Sequence, residues 1–274
     1  MNELRPQPDC KGYSGRKGYW LLAGLTGGLL ALCAFFDLQI AHAAFQPESE
    51  FGHFLHKFGE CPGHALILYS AGVYLLLGRH LIIRLLMILP FCLEIWIFVA
   101  KHPPIHSFSE GALVSFLVLF PLAIILYTRR FTTNAEMSRS AALVVLAGVL
   151  HPIILVQILK KLWGRVRFDD LVEGETQFTP WYLPQGFTDH HSFPSGHTAM
   201  GILACFLVLY FPSHLRKLAF LPLFAWAMAV AASRVILGAH YVSDVIFSLF
   251  IGLTLLLCFS QLSGDKNAPD QSRS

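Results

Sequence analysis

His240 and Asp244 stand four residues apart, a spacing that puts both side chains on one face of a helix. A carboxylate held against one imidazole nitrogen fixes the tautomer and frees the other nitrogen to attack. Histidine is a competent nucleophile in covalent catalysis. A second histidine, His197, closes the run Pro194-Ser195-Gly196-His197 and is placed to protonate a leaving oxygen. The same run reads as a helix start, with Ser195 as N-cap and Gly196 letting the backbone approach an anion. Free N–H groups and the helix dipole favour negative charge there. Lys160, Arg167 and Arg234 add three positive charges. The two guanidinium forks match paired anion oxygens, and the ammonium supplies a compact charge. Gly238, two residues before His240, supplies the turn that presents it. Taken singly, each cluster has a plain structural reading: a capped helix, a His–Asp pair at a helix end, a basic group snorkelling to an interface. Their convergence is what points to an enzyme acting on a small anion.

A metal site is the chemical competitor, since Asp189, His190, His191, His197, His240 and Asp244 are all ligand types. Three cations in the same constellation would repel a divalent ion, and hard cations are more often held by carboxylate clusters. No metal and no cofactor are therefore expected, and His190 and His191 read as loop residues near an entrance.

The elements that must carry these groups follow from composition. Of 274 residues 55% are hydrophobic and only 14% charged, against roughly 25% in an ordinary soluble domain. That argues against a soluble enzyme, a disordered chain or a nucleic-acid-binding module; a net charge of +3 suggests no polyanion partner. Apolar runs long enough for a membrane span lie near 19–39, 64–78, 82–100, 111–128, 141–160, 198–212, 218–236 and 244–262, the second and sixth being short. A break at Gly78-Arg79-His80 avoids one helix of about 55 Å across residues 64–100, with arginines stranded in lipid. The expected fold is all-α, a polytopic transmembrane bundle of about six to eight spans. Its segments are a cytoplasmic stretch 1–18, N-terminal spans over 19–139, a catalytic half over 140–262 and a polar tail 263–274.

With the N-terminus inside, thirteen of the twenty basic residues fall on the inner side, which predicts cytoplasmic termini. The three clusters then share the outer surface. The basic run before the first span and Ala41-His42-Ala43 resemble a secretory signal, but the apolar run is long for one, so an uncleaved first span is favoured. The six cysteines lack framework spacing and read as thiols. Asp37 and Glu94 lie near outer span ends, where a snorkelling or structural role is expected. Trp181, Tyr182, Phe187 and Phe193 form either an interfacial belt or a substrate rim.

The three clusters resemble the signature of the type 2 phosphatidic acid phosphatase (PAP2) superfamily: Lys-x6-Arg-Pro, then Pro-Ser-Gly-His, then Ser-Arg-x5-His-x3-Asp. This chain matches at Lys160 and Arg167, at Pro194 through His197, and at Ser233, Arg234, His240 and Asp244, within about residues 140–262. It departs at Phe168, where the family usually has proline. The resemblance implies a membrane phosphatase working without metal through a phosphohistidine intermediate. His240 is then the nucleophile, Asp244 orients it, His197 protonates the leaving group, and Lys160, Arg167, Ser195, Gly196 and Arg234 hold the phosphoryl oxygens. The implied partner is a lipid phosphate or pyrophosphate in the membrane, with neither nucleic acid nor an obligate protein partner. The topology suits a bacterial inner membrane with an outward-facing site; an organelle membrane with a lumenal site has the same layout. The alternatives are phosphotransfer to a lipid or sugar acceptor, and a non-enzymatic anion transporter.

Overall fold

The computed structural model of the chain describes residues 10–101, 108–172, 174 and 177–263. The stretch up to residue 9 and the tail from 264 onward lie outside them. Every regular element among the described residues is helical: α1 (Cys10–Ala44), α2 (Glu50–Phe58), α3 (Cys61–Leu77), α4 (Leu81–Lys101), α5 (Phe108–Thr128), α6 (Asn134–Gly148), α7 (Val156–Trp163), α8 (Phe168–Val172), α9 (Gly196–Leu203), α10 (Ser213–Ile236) and α11 (Val242–Leu262). A π-helical stretch, Val149–Leu155, joins α6 to α7, and a 3-10 stretch, Ala204–Tyr210, prolongs α9. Pro152 lies in the π segment, where its missing N–H and ring disturb regular α hydrogen bonding.

All eight apolar runs appear as helix, and the break after Leu77 falls where the arginine argument put it. Among the described residues, five segments are long and apolar enough to cross a membrane: Lys17–Ala44, Glu110–Phe131, Asn134–Val172, Ser213–Ile236 and Val242–Leu262. The chain is thus an integral membrane helical bundle. Large apolar side chains stay exposed on its flanks, among them Trp20, Phe35, Leu89, Trp96 and Phe116. In lipid such a face carries no hydrophobic penalty, and helices satisfy their own backbone groups.

The short sixth run has a different role from the other spans. Gly196–Tyr210 is the shorter apolar helix, and residues 198–210 are all buried, so it forms a central post. Its 3-10 half rises more per residue than an α-helix, stretching fifteen residues to about 26 Å. α10, α11, α3 and α6 pack around this post, while α1 lies against α11 and α2 against α10. Leu66, Ile67, Val144, Ile202, Leu203 and Phe206 fill the space between them. Close approach needs small residues here: a methyl group at Gly252 would run into Ile202 of the post.

The turn between α10 and α11 is set by Gly238, whose φ is +73°. A Cβ there would stand 2.7 Å from the Phe45 ring and 3.2 Å from the Asp169 nitrogen. Replacing Gly238 by Ala therefore combines left-handed strain with a clash, a cost of about 1–3 kcal/mol. The expected outcome is a lower unfolding temperature in detergent, followed by tryptophan fluorescence; an unchanged transition would contradict this account of the turn.

Candidate active site

Lys160, Arg167, Ser195, Gly196, His197, Arg234, His240 and Asp244 all lie at one end of the bundle. They come from the end of α7 and the segment after it, the N-terminus of α9, the C-terminus of α10, the following turn and the first turn of α11. Backbone bonds lock these pieces together. The Ser195 N–H donates to the Asp244 carbonyl at 3.2 Å, the His240 N–H to the Arg234 carbonyl at 3.2 Å, and the Ser248 hydroxyl to the Ser195 carbonyl at 2.8 Å.

His240 is buried, with Nδ1 3.5 Å from Asp244 Oδ2. Nε2 is the nitrogen left to face a substrate. Burial pulls the His240 imidazole down to about 4, the Asp244 carboxylate opposing and Arg234 and Lys160 reinforcing the fall. The resting ring is consequently neutral and nucleophilic. Asp244 Oδ2 also accepts from the Ser192 hydroxyl at 2.6 Å and from the Tyr241 N–H at 2.9 Å, while Oδ1 accepts from Arg165.

Arg165 stands two residues before Arg167 but turns away from the cations at this end of the bundle. Its side chain is buried, and Nη2 pairs with Asp37 Oδ2 at 2.8 Å, Nη1 with Asp244 Oδ1 and with the Ser243 hydroxyl at 2.7 Å, and Nε with the Thr179 carbonyl at 2.9 Å. The guanidinium also lies 4.1 Å from the centre of the Tyr241 ring. Asp37 in turn accepts from the Ser243 backbone and hydroxyl. Asp37 thus takes the structural role expected of it and does not snorkel; from α1 it helps to fix the carboxylate behind His240. Glu94 is likewise buried, 2.7 Å from His64 Nδ1.

The anion side is built differently. Arg234 donates through Nη1 to His56 Nδ1 at 2.7 Å, while its buried Nε has no partner in the structure. A guanidinium has no acceptor, so His56 offers a lone pair at Nδ1 and is neutral. Burial, then Arg234, holds its imidazole below the ordinary value. Lys160 Nζ lies 3.7 Å from where a Cβ would stand at Gly196, so glycine keeps the space beside the ammonium open. Lys160, Arg167 and Arg234 are within electrostatic reach of one another, and Lys160 and Arg234 are also within reach of Glu60. Ser195 Oγ caps α9, accepting from the Thr198 N–H and hydroxyl, and the side chain is buried. Its own proton remains for an anion oxygen. His197 stacks on His56 with ring centres 5.1 Å apart, and its Nδ1 stands 3.5 Å from Glu60 Oε1.

Other expectations divide. His190 is a loop residue whose Nδ1 lies 3.7 Å from Oδ2 of Asp170 in α8. Tyr182 and Phe187 are exposed, as a belt or rim requires. Phe193 is neither: it is fully buried, stacked on Trp163 and tilted against Phe247. Among the described residues no three His, Cys, Asp or Glu side chains are grouped to hold a metal ion. Cys33, Cys61, Cys92, Cys205 and Cys258 are free thiols, of which Cys33, Cys61 and Cys205 are buried. Phe168, where the family pattern has proline, donates its N–H to the Gly238 carbonyl at 3.0 Å, a bond proline lacks. Sequence reasoning left out Asp37, Arg165, Ser192 and Ser243 as site supports, and His56 and Glu60 altogether. Intramembrane charge at Asp37 was a usable signal; His56 and Glu60 carried none.

Residues 141–268 match the PAP2 superfamily. A lipid A 1-phosphatase of Rhizobium etli is 38% identical over 101 residues, which is 36% of this chain and 40% of that protein. A lipid A 4'-phosphatase of Rhizobium leguminosarum is 33% identical over 146 residues, 50% of this chain and 62% of that protein. The phosphatidylglycerophosphatase B of Bacillus subtilis is 34% identical over 109 residues, 37% of this chain and 48% of that protein. The chain therefore spans about half the length of the curated relatives it matches. No solved structure matches it.

Two tests follow from the geometry. Arg165→Met leaves the Asp37 and Asp244 carboxylates buried side by side without a counter-charge, a loss of about 3–5 kcal/mol. Folded protein recovered by size-exclusion chromatography in detergent is expected to fall sharply, and adding Asp37→Asn is expected to restore part of it. Equal recovery of Arg165→Met and the unmodified chain would show that the triad is not holding the fold. Because its imidazole sits at about 4, His240 is expected to stay neutral as pH falls from 8 to roughly 5, where an ordinary histidine is already protonated. Histidine-labelled NMR, with His240→Gln identifying the resonance, checks this; a midpoint near the ordinary imidazole value would contradict it.

Proposed function

We propose, from the premise that residues 141–268 form a PAP2-superfamily domain, that the chain hydrolyses a phosphate ester or pyrophosphate carried on a lipid. The observation that carries this reading is the pairing of a neutral, carboxylate-backed His240 with three convergent cations and a second histidine at one end of a membrane bundle. The names of the relatives, lipid A phosphatases and a phosphatidylglycerophosphatase, have in common a phosphate on a lipid, which favours a lipid substrate here.

The phosphoryl group sits among Lys160, Arg167 and Arg234, with the Ser195 hydroxyl and the N-terminus of α9 at Gly196 completing the cradle. These groups stabilise the charge that spreads over the equatorial oxygens during transfer. His240 Nε2 attacks phosphorus, the bond to the leaving oxygen breaks, and His197 gives that oxygen its proton. Asp244 stabilises the cationic ring that forms, as a carboxylate does for any histidine that gains charge in the reaction. In the second step water attacks the phosphohistidine, its proton passes to His197, and the P–N bond electrons return to His240. No step calls for a metal, because three cations and two histidines supply the charge and the protons. The site is assigned to the extracytoplasmic face and both termini to the cytoplasm, on the distribution of basic residues.

Purified protein in detergent is expected to release phosphate from lipid phosphates, to resist chelators and to be inhibited by vanadate. His240→Ala is expected to abolish turnover, and His197→Ala to slow it by about 10²–10⁴-fold on a poor leaving group. A lack of phosphate release across phosphatidate, phosphatidylglycerophosphate, polyprenyl pyrophosphate and lipid A, or full activity in His240→Ala, would overturn the assignment.

A further inference from the structure

The second histidine has a carboxylate behind it, as the first does. Glu60 Oε1 lies 3.5 Å from His197 Nδ1, the same separation and the same ring nitrogen as Asp244 to His240. Glu60 comes from a part of the chain that none of the three motifs covers, the junction between α2 and α3, and lies outside the stretch matching the superfamily. Its other oxygen, Oε2, stands 3.8 Å from His64 Nε2, and His64 Nδ1 stands 2.7 Å from the buried Glu94. The row Glu94, His64, Glu60, His197 thus alternates acid and imidazole from α4 through α3 to the site. On the other face of His197 lies the His56 ring, held by Arg234.

A carboxylate is an unfavourable neighbour for a phosphate. Glu60 lies within electrostatic reach of Lys160 and Arg234, so it cancels part of the field that draws an anion in. Capping α3 does not account for it either, since Glu60 occupies the N-cap position but makes no side-chain cap hydrogen bond. Of its two oxygens, Oε1 faces His197 Nδ1 and Oε2 faces His64 Nε2.

We infer that Glu60 is a positioning residue for the acid–base histidine: it holds the proton on His197 Nδ1 and offsets part of the burial that disfavours the imidazolium, leaving Nε2 directed to the leaving oxygen. This rests on the phosphatase reading above and deepens it. In the first step His197 Nε2–H passes its proton to the departing oxygen and the ring becomes neutral with Nδ1–H facing Glu60. In the second step the free Nε2 lone pair takes a proton from water as the water oxygen bonds to phosphorus. Glu60 gains and loses no proton in either step, and His64 with Glu94 keeps its carboxylate in place.

The test separates this role from a purely structural one by opposite movements of turnover and anion affinity. With full-length protein in detergent and phosphatidate as substrate, Glu60→Gln is expected to lower kcat by about 10–100-fold. Inhibition by inorganic phosphate is expected to stay the same or tighten, because a negative charge has left an anion site. In a His197→Ala background the same change is expected to cost less than about twofold, since residues acting as one unit are not additive. Glu60→Asp, which keeps the charge and draws it back by one carbon, is expected to show the same pattern at smaller amplitude, and it carries the test if Glu60→Gln does not accumulate. Unchanged kcat, a loss of kcat accompanied by weaker phosphate inhibition, or a full additional loss on top of His197→Ala would each overturn the inference while leaving the phosphatase reading intact. Absence of phosphate release from the unmodified protein would overturn both.

Discussion

The Arg165 guanidinium, buried between Asp37 and Asp244, is the constraint on which the rest of the site depends. Three charges in a dry interior are costly to desolvate, and they persist only where geometry and hydrogen bonding are nearly complete. Here Nε, Nη1 and Nη2 all find acceptors, and a tyrosine face covers the cation. The consequence is positional. α1, the segment after α7 and the start of α11 cannot shift relative to one another without exposing an unpaired charge in a medium that supplies no water. Asp244 is therefore fixed, and with it the ring it orients.

That same triad sorts the charges of the site into two layers. Behind His240 one cation meets two carboxylates, a net negative backing that suits the proposed mechanism, in which the ring becomes positive as it bonds to phosphorus. In front, Lys160, Arg167 and Arg234 form a positive layer with the unpartnered Nε of Arg234 among its donors. The neutral resting state of His240 lies between them: burial and the cations in front outweigh the carboxylate behind. An arriving phosphate would reverse that balance by neutralising the front layer, so the field favouring a cationic ring grows as the substrate enters.

Packing gives the layers their spacing. The central post Gly196–Tyr210 is too short to be an ordinary span, but it is sheathed on all sides and ends at the site, so its N-terminus delivers Ser195, Gly196 and His197 at the level of Arg234 and Asp244. The substitution of phenylalanine for the family's proline at position 168 fits the same economy. Phe168 is buried against Tyr241, Phe45 and His42, and its N–H anchors the turn that presents His240. A proline would keep the chain direction and lose that anchor.

Motif spacing by itself brought forward His240, Asp244, His197, Lys160, Arg167, Arg234, Ser195 and Gly196 as candidates, and Ser195 does cap a helix start; His240, however, lies in the turn before α11 and meets Asp244 as that helix begins, not across a helical repeat of four. Apolar run length likewise determined an all-helical membrane bundle, and stranded arginines determined the break after Leu77. The partners of those residues were decided by tertiary structure alone. Arg165 carries no local mark that separates it from the neighbouring Arg167, and only the packing of α1 against α11 turns it inward to Asp37, 128 positions away in sequence. Glu60 and His56 had no local signature, since what matters is their distance from His197 and Arg234, which lie more than a hundred positions further along the chain. Backbone periodicity specifies which side chains share a face, but which faces meet is settled by the burial of the whole bundle. An isolated charge takes its meaning from the group that this burial places beside it.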